Sequence, residues 1–132
     1  MIHIEQGIIN TIYVTIKENR VNTSEYYYLL SLKNDTTNDV INHKITAFEE
    51  TDRITNIRFT EGSGAGEVNL KYTGYYHYTI YEDTDAANTD PSASSIVKVL
   101  ETGKASVTGA GSDAVTYTQR PQSTNNNVYI KI

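Results

Sequence analysis

The sequence predicts an all-β domain: an antiparallel β-sandwich of the immunoglobulin-like type, with about seven to nine strands. Three observations lead to this prediction. Apolar residues alternate with polar ones at period two through most of the chain, turn-forming residues recur about every 8–12 positions, and no segment longer than about ten residues places apolar residues at helical spacing. A small β-barrel is the alternative architecture, because closure of one sheet fits the same pattern.

The first half of the chain contains four segments with this alternation. Residues 8–17 place three β-branched apolar side chains on one face, and residues 25–33 place two tyrosines and two leucines on one face. The polar run 34–39 has the composition of a turn, so residues 40–47 are predicted to return as the partner strand of a hairpin. Residues 55–60 point an isoleucine and a phenylalanine inward between polar neighbours.

The second half continues the pattern with shorter strands. The glycine-rich segment 62–66 is predicted to be a flexible hairpin loop that leads into a strand at 67–72. A strand at 75–82 follows, with two tyrosines and an isoleucine on its inward face. After a polar loop, two short strands are predicted at 96–100 and 104–107.

Residues 1–108 are predicted to form the sandwich, and residues 109–132 are predicted to form a C-terminal extension. The extension carries only three charged residues and contains predicted strands at 114–118 and 128–132. It either belongs to the same domain or docks on a neighbouring molecule, where an extended chain can add a strand to an exposed sheet edge.

The segment from Leu70 to Tyr78 resembles the corner that joins strands E and F in immunoglobulin-like domains. Gly74 and Tyr76 are predicted to be its structural residues, with the Tyr76 hydroxyl binding a backbone group upstream. Tyr78 occupies the place that antibody domains give to their second cysteine. The chain lacks the cysteine pair and the core tryptophan of antibody domains, so the pattern predicts an architecture and implies no antibody-type homology.

Size and composition exclude several classes of protein. A chain of 132 residues and 14.8 kDa suits one domain with a core of its own. The absence of cysteine excludes disulfides and thiolate metal sites, and the net charge of -5 argues against a nucleic-acid partner. No signal-like N-terminus and no apolar run of about 18 residues is present, so no membrane partner is expected.

Residues of the types that catalyse reactions or bind metal ions are not predicted to come together in one site. The three histidines lie in separate predicted strands, without the paired spacing of a metal site. The acidic loop 82–90 is the best calcium candidate, but it departs from the EF-hand pattern and a solvated loop is the favoured interpretation. Glu49, Glu50 and Asp52 cluster in a predicted exposed turn. We therefore predict no catalytic residue, no cofactor and no metal ion, and a protein that is not an enzyme.

The surplus of tyrosine is the unusual feature: 11 tyrosines against two phenylalanines and no tryptophan. Tyrosine combines apolar area with a hydroxyl, which suits surfaces that are half-buried or covered by a partner. Tyrosines on the inward faces of 25–33 and 75–82 are predicted to be core. Outward ones can bind a protein, stack on a sugar, or be covered by the protein's own strands. The candidate interface residues are Tyr27, Tyr75 and Tyr81, with Tyr13 as a weaker member, and Val128 and Ile130 of the predicted last strand.

Four sequence blocks carry a resemblance to a known group of proteins. They are residues 26–38, 66–70, 74–82 and 100–104. In that order and spacing, the blocks resemble small virion proteins of tailed phages that infect Bacteroidales and related bacteria, crAss-like phages included. The resemblance covers about residues 8–107 and does not extend into the C-terminal extension.

The resemblance implies a capsid auxiliary or head structural protein, present in many copies on a shell. It implies a location in the virion, assembly in the cytoplasm of the bacterial host, and contact with the major capsid protein or other virion proteins. Homo-oligomer formation is a further expectation, and the resemblance brings no active-site residues. Two alternatives stay open: a module that binds carbohydrate or the host surface, and an adaptor of the tail or neck.

Overall fold

The computed structural model describes residues 1–109 of the chain. The predicted strands at 114–118 and 128–132 lie outside the described residues, as do the interface candidates Val128 and Ile130. The arrangement expected for the extension at 109–132 therefore stays a prediction.

The described residues form eight strands and a single turn of 3-10 helix at Lys17–Asn19. Most of the strands are short, and the last two are the longest. The strands are β1 (Ile2–Glu5), β2 (Ile9–Val14), β3 (Tyr27–Asn34), β4 (Val40–Ile45), β5 (Ala47–Glu50), β6 (Thr55–Thr60), β7 (Gly74–Asp83) and β8 (Ile96–Thr108).

Two sheets make up the fold. The larger sheet has the strand order β1-β8-β7-β3-β4, and the smaller has the order β2-β6-β5. Neighbours β3, β7 and β8 correspond to strands C, F and G of an immunoglobulin-like sandwich, with β4 as C′ and β2, β6 and β5 as B, E and D. The predicted all-β sandwich class is confirmed. The larger sheet is mixed, however, because β1 runs parallel to β8 while every other described pair is antiparallel.

The core lies between the two sheets and is made by the alternating side chains that the sequence predicts to face inward. Each inward set comes from a different strand, and its members are almost completely buried. The described core includes Ile12, Val14 and Ile16, Tyr28, Leu30 and Leu32, Ile57 and Phe59, and Tyr76, Tyr78 and Ile80.

The predicted strand at 67–72 is wrong. Only Val68 forms a bridge there, to Glu61, although Val68 and Leu70 are buried in the core. The buried Glu61 carboxylate replaces a neighbouring strand, since it accepts the N–H of Leu70 at 2.8 Å and the N–H of Gly7 at 2.7 Å. The segment therefore satisfies its backbone through a side chain, which alternation cannot reveal.

The C-terminal part of the sandwich is one strand where the sequence predicts two. β8 is continuous from Ile96 to Thr108, with two register shifts against β7. Gly103 lies directly opposite Tyr78, and a Cβ at Gly103 would come within 2.8 Å of the Tyr78 ring. The glycine thus makes room for an aromatic ring inside the strand and does not interrupt it.

The corner before β7 positions this strand against the core. Gly74 has φ of +109°, a conformation that a side chain would strain. Two residues later, the Tyr76 hydroxyl donates a hydrogen bond to the carbonyl oxygen of Tyr72 at 2.8 Å. This is the contact that defines a tyrosine corner.

Candidate functional site

The outward tyrosines of the predicted interface lie on the outer face of the five-stranded sheet. Tyr75 is 58% exposed, whereas Tyr27 and Tyr81 are half-buried. Across the β3–β7 ladder, Tyr27 pairs with Asp83 and Tyr81 pairs with Leu29. The two half-buried tyrosines are therefore diagonal neighbours. Tyr75 lies about 20 Å away at the other end of β7, so the structure divides the predicted set into two places.

An exposed valine extends the pair of neighbouring tyrosines. Val99 lies opposite Tyr81 on β8 and is 47% exposed, and Val97 is also exposed two residues earlier. We call Tyr27, Tyr81 and Val99 the outer patch. The sequence did not single out the valines, because a strand with two register shifts does not keep a simple alternation. The weaker candidate Tyr13 is exposed on β2 in the other sheet and cannot join this patch.

A buried ion pair lies next to the outer patch. Lys44 Nζ donates to Asp83 Oδ2 at 2.7 Å, and the side chains are 9% and 0% exposed. Asn88 Nδ2 donates to the same oxygen at 2.8 Å, while the backbone N–H of Asp85 donates to Asp83 Oδ1 at 3.0 Å. Burial raises the pKa of the Asp83 carboxyl, but these hydrogen bonds outweigh it and hold the pKa well below its ordinary value.

The acidic loop singled out as a calcium candidate does not bring its carboxylates together. The fully buried Glu82 carboxylate accepts the backbone N–H groups of Val21 and Asn22, each at 2.8 Å. Asp85 and Asp90 accept backbone N–H groups two residues further along, at Ala87 and Ser92. Within residues 1–109, no group of three or more histidine or acidic side chains could hold a metal ion.

A second buried polar cluster surrounds Glu50, so the predicted exposed position is wrong for this residue, whereas Glu49 and Asp52 are exposed as predicted. The Glu50 side chain is only 10% exposed and forms an ion pair with Arg20 at 2.9 Å. It also accepts hydrogen bonds from the hydroxyls of Tyr28 and Thr55. Burial raises the pKa of the Glu50 carboxyl, but the three hydrogen bonds outweigh it and lower the pKa below its ordinary value.

The same cluster raises the pKa of two of its members and orders the aromatic rings around it. Burial and the hydrogen bond to Glu50 raise the pKa of Tyr28 far above that of a free tyrosine. Burial lowers the pKa of the Arg20 guanidinium, but the hydrogen bonds to Tyr28 and Glu50 outweigh this, so the pKa is raised. The guanidinium stacks 3.6 Å from the Tyr26 ring centre. Every polar group in the cluster thus serves as a partner of another, so the cluster joins β3, β5 and the segment before β3.

The open grooves of the described surface lie mainly beside β4, the edge strand of the larger sheet. One groove of about 370 Å³ is bordered by Val40, Ile41 and Tyr72. Another of about 430 Å³ is bordered by His43 and Phe59, whose rings lie 6.2 Å apart. Burial lowers the pKa of the His43 imidazole, which favours the neutral ring. The walls of both grooves mix polar and apolar side chains, with Lys71 in the first and Arg58 in the second.

Comparisons with protein-family models, with curated proteins and with solved structures gave no match for this chain. Within residues 1–109, no helix is long and apolar enough to cross a membrane.

Proposed function

We propose that this protein is a structural component of a phage virion, an auxiliary or decoration protein of the capsid that works by binding its neighbours and not by catalysis. The observation that carries the proposal is the outer patch. This patch, made of Tyr27, Tyr81 and Val99, lies on the outer face of a sheet whose inner face forms the core. Aromatic and aliphatic side chains in such a position are typical of a contact surface.

The roles of the buried charged groups support a scaffold. The carboxylates of Glu61 and Glu82 accept backbone N–H groups, and those of Glu50 and Asp83 pair with cations inside the fold. A carboxylate engaged in this way fixes the geometry of loops and strands. The resemblance in residues 8–107 supports the location, since it is to virion proteins of tailed phages.

The partner proposed for the outer patch is the major capsid protein or another protein of the shell, and the extension at 109–132 adds a second contact. Val128 and Ile130 supply alternate apolar residues that suit a strand added to a sheet edge of a neighbour. Two contacts on one chain raise the apparent affinity through effective concentration. This arrangement suits a protein that has to remain on a large particle.

Binding to purified shells tests the proposal. We expect the full chain to co-sediment with shells or to bind their major protein, and Tyr81→Ala combined with Val99→Ala to weaken binding by about 30-fold. Tyr13→Ala is the matched control, because it removes an exposed tyrosine from the other sheet. Absence of binding at every salt concentration, or an equal loss in the control, would contradict the proposal.

The two alternative functions give different results in the same study. A tail or neck adaptor would be found at the copy number of a single ring, whereas a decoration protein is found in proportion to the shell subunits. A carbohydrate-binding module would bind immobilised glycans and lose that binding on tyrosine substitution. Either result would replace the capsid assignment.

A further inference from the structure

Lys44, Asp83 and Asn88 bring an amine, a carboxylate and a carboxamide together on the outer face of the five-stranded sheet. Lys44 Nζ and Asn88 Nδ2 both donate to the same oxygen, Asp83 Oδ2, at 2.7 and 2.8 Å. The amine of one residue and the carboxamide of another are therefore each one hydrogen bond away from a shared carboxylate. Lysine amines act as nucleophiles in proteins, and a positioned carboxylate can carry their protons.

The amine and the carboxylate are buried together. Asp83 is fully buried and Lys44 is 9% exposed. The strand register places Leu29 directly opposite Lys44 and Tyr27 directly opposite Asp83. Burial opposes the charge of the Asp83 carboxylate, but its hydrogen bonds outweigh this and lower its pKa, so the carboxylate is ionised and can accept a proton.

The carboxamide of Asn88 is held at both ends. Its carbonyl oxygen accepts the backbone N–H of Asp90 at 3.0 Å. A donor at that oxygen stabilises the negative charge that develops when a nucleophile attacks the carbonyl carbon. Its nitrogen stays next to Asp83, so a departing amine would lie beside an acid. Both reacting groups are held in one folded chain, so the reaction needs no bimolecular encounter, and its barrier is lower for that reason.

We propose that Lys44 and Asn88 form an intramolecular isopeptide bond, with Asp83 as the proton carrier. Asp83 takes one proton from the Lys44 ammonium, and the neutral Nζ attacks Cγ of Asn88. Asp83 gives that proton to Nδ2 and accepts the second proton from Nζ, while the bond between Cγ and Nδ2 breaks. One amide and one ammonia are formed, Asp83 ends protonated, and no oxidant or other reactant is consumed.

The bond would fasten the edge strand β4 to the loop that follows β7. These two parts are separated by a long stretch of chain, and a cross-link between distant residues restricts the unfolded ensemble. The protein has no cysteine, and this cross-link would stabilise its fold in the way that a disulfide stabilises other proteins. It would also hold Asn88 of this loop beside Asp83.

Intact-mass spectrometry of the purified full chain tests the proposal. We expect a mass lower than that of the sequence by about 17 Da, the mass of one ammonia. A digest is expected to contain a branched peptide that joins Lys44 to Asn88, and trypsin is expected not to cleave after Lys44. A chain that keeps the full sequence mass after prolonged incubation in the folded state would overturn the proposal.

Three variants separate this reaction from others with a similar mass change. Lys44→Arg and Asn88→Ala should each restore the full sequence mass, and Lys98→Arg, on the exposed surface of β8, should keep the cross-link. Circular dichroism of Asn88→Ala reports that the sandwich is still folded. A loss of ammonia that persists in Lys44→Arg would be a cyclic imide at an asparagine, and a loss of water between Lys44 and Asp83 would be a different bond. Either result overturns the assignment.

Discussion

The two faces of the five-stranded sheet are buried for different reasons. On the inner face, alternate residues of β3 and β7 are apolar or aromatic and pack against the other sheet, as Leu30 and Ile80 do. On the outer face, Leu29 and Asp83 are equally inaccessible, yet Val99 is 47% exposed. Burial of the inner face follows residue type, whereas on the outer face the charged Asp83 is buried beside Lys44 and beside Asn88 of the loop after β7.

This difference shows that packing determines the structure of the inner face, whereas polar partners determine which residues can be buried on the outer face. A face that packs against a second sheet needs only side chains of suitable shape and hydrophobicity. A face covered by a polar loop can bury Asp83, because Lys44 and Asn88 satisfy its carboxylate. Other positions of the same face stay exposed, among them Tyr75 and Val99.

Leu30→Ala should give the largest effect of the substitutions that probe this comparison. Leu30 is fully buried between the sheets, so its truncation removes apolar contacts and leaves a cavity. We expect a loss of about 3 kcal/mol in the free energy of unfolding, measured by urea denaturation. Val99→Ala on the outer face is the control and should change stability by less than about 0.5 kcal/mol. Similar losses in both variants would remove the distinction between the faces.

Gly103→Ala tests how tightly the inner face is filled. The added Cβ would approach the Tyr78 ring to 2.8 Å, and that ring is held by a hydrogen bond from its hydroxyl to Glu101 at 2.5 Å. We expect a loss of about 1–3 kcal/mol, because the ring cannot move without breaking this bond. Gly109→Ala meets no atom closer than 3.9 Å and should be nearly neutral. An unchanged urea midpoint for Gly103→Ala would mean that the ring has room to move.

The inner face was the part of the fold that the sequence could predict. Alternation predicted the inward sets that include Ile12, Ile57 and Ile80, and all three are buried. It failed for residues 67–72, where Glu61 takes the place of a partner strand. It gave no bounds for the strand that contains His3, β1 (Ile2–Glu5), which is short and pairs with β8.

The candidate site was harder to predict from the sequence, because its residues are distant along the chain and come together only in the folded structure. The alternation in 75–82 identified Tyr81 as outward-facing, but Val99 reaches it only through the register shifts of β8. The partners of Asp83 are 39 residues upstream at Lys44 and five residues downstream at Asn88. Glu50 was placed in an exposed turn because its neighbours are polar, and its burial depends on Arg20 and Tyr28.

Acid titration tests the polar cluster that closes one end of the inner face. The pKa of Glu50 is lower in the folded protein than its ordinary value of about 4.3, so its contribution to stability is present above that pH and is lost as the pH falls toward the folded pKa. We expect the stability difference between the wild type and Glu50→Gln to be largest near neutral pH and to shrink below about pH 4.

Urea denaturation at a series of pH values measures this difference. Glu49→Gln is the matched control, because Glu49 is the exposed neighbour on the same strand. Its stability curve should run parallel to that of the wild type. A difference for Glu50→Gln that stays constant down to low pH would show that the charge of Glu50 does not stabilise the cluster.

Tyr76→Phe should give the smallest effect, and it separates hydrogen bonding from packing on the inner face. The ring of Tyr76 is 2% exposed and stays in place, while the hydrogen bond from its hydroxyl to the Tyr72 carbonyl is lost. We expect a loss of about 1 kcal/mol from the missing bond. Tyr75→Phe removes a hydroxyl from the adjacent residue, which is 58% exposed on the outer face, and should have almost no effect. Equal urea midpoints for the two variants would mean that the corner is held by the ring and by Gly74, and that the hydroxyl of Tyr76 contributes no stability.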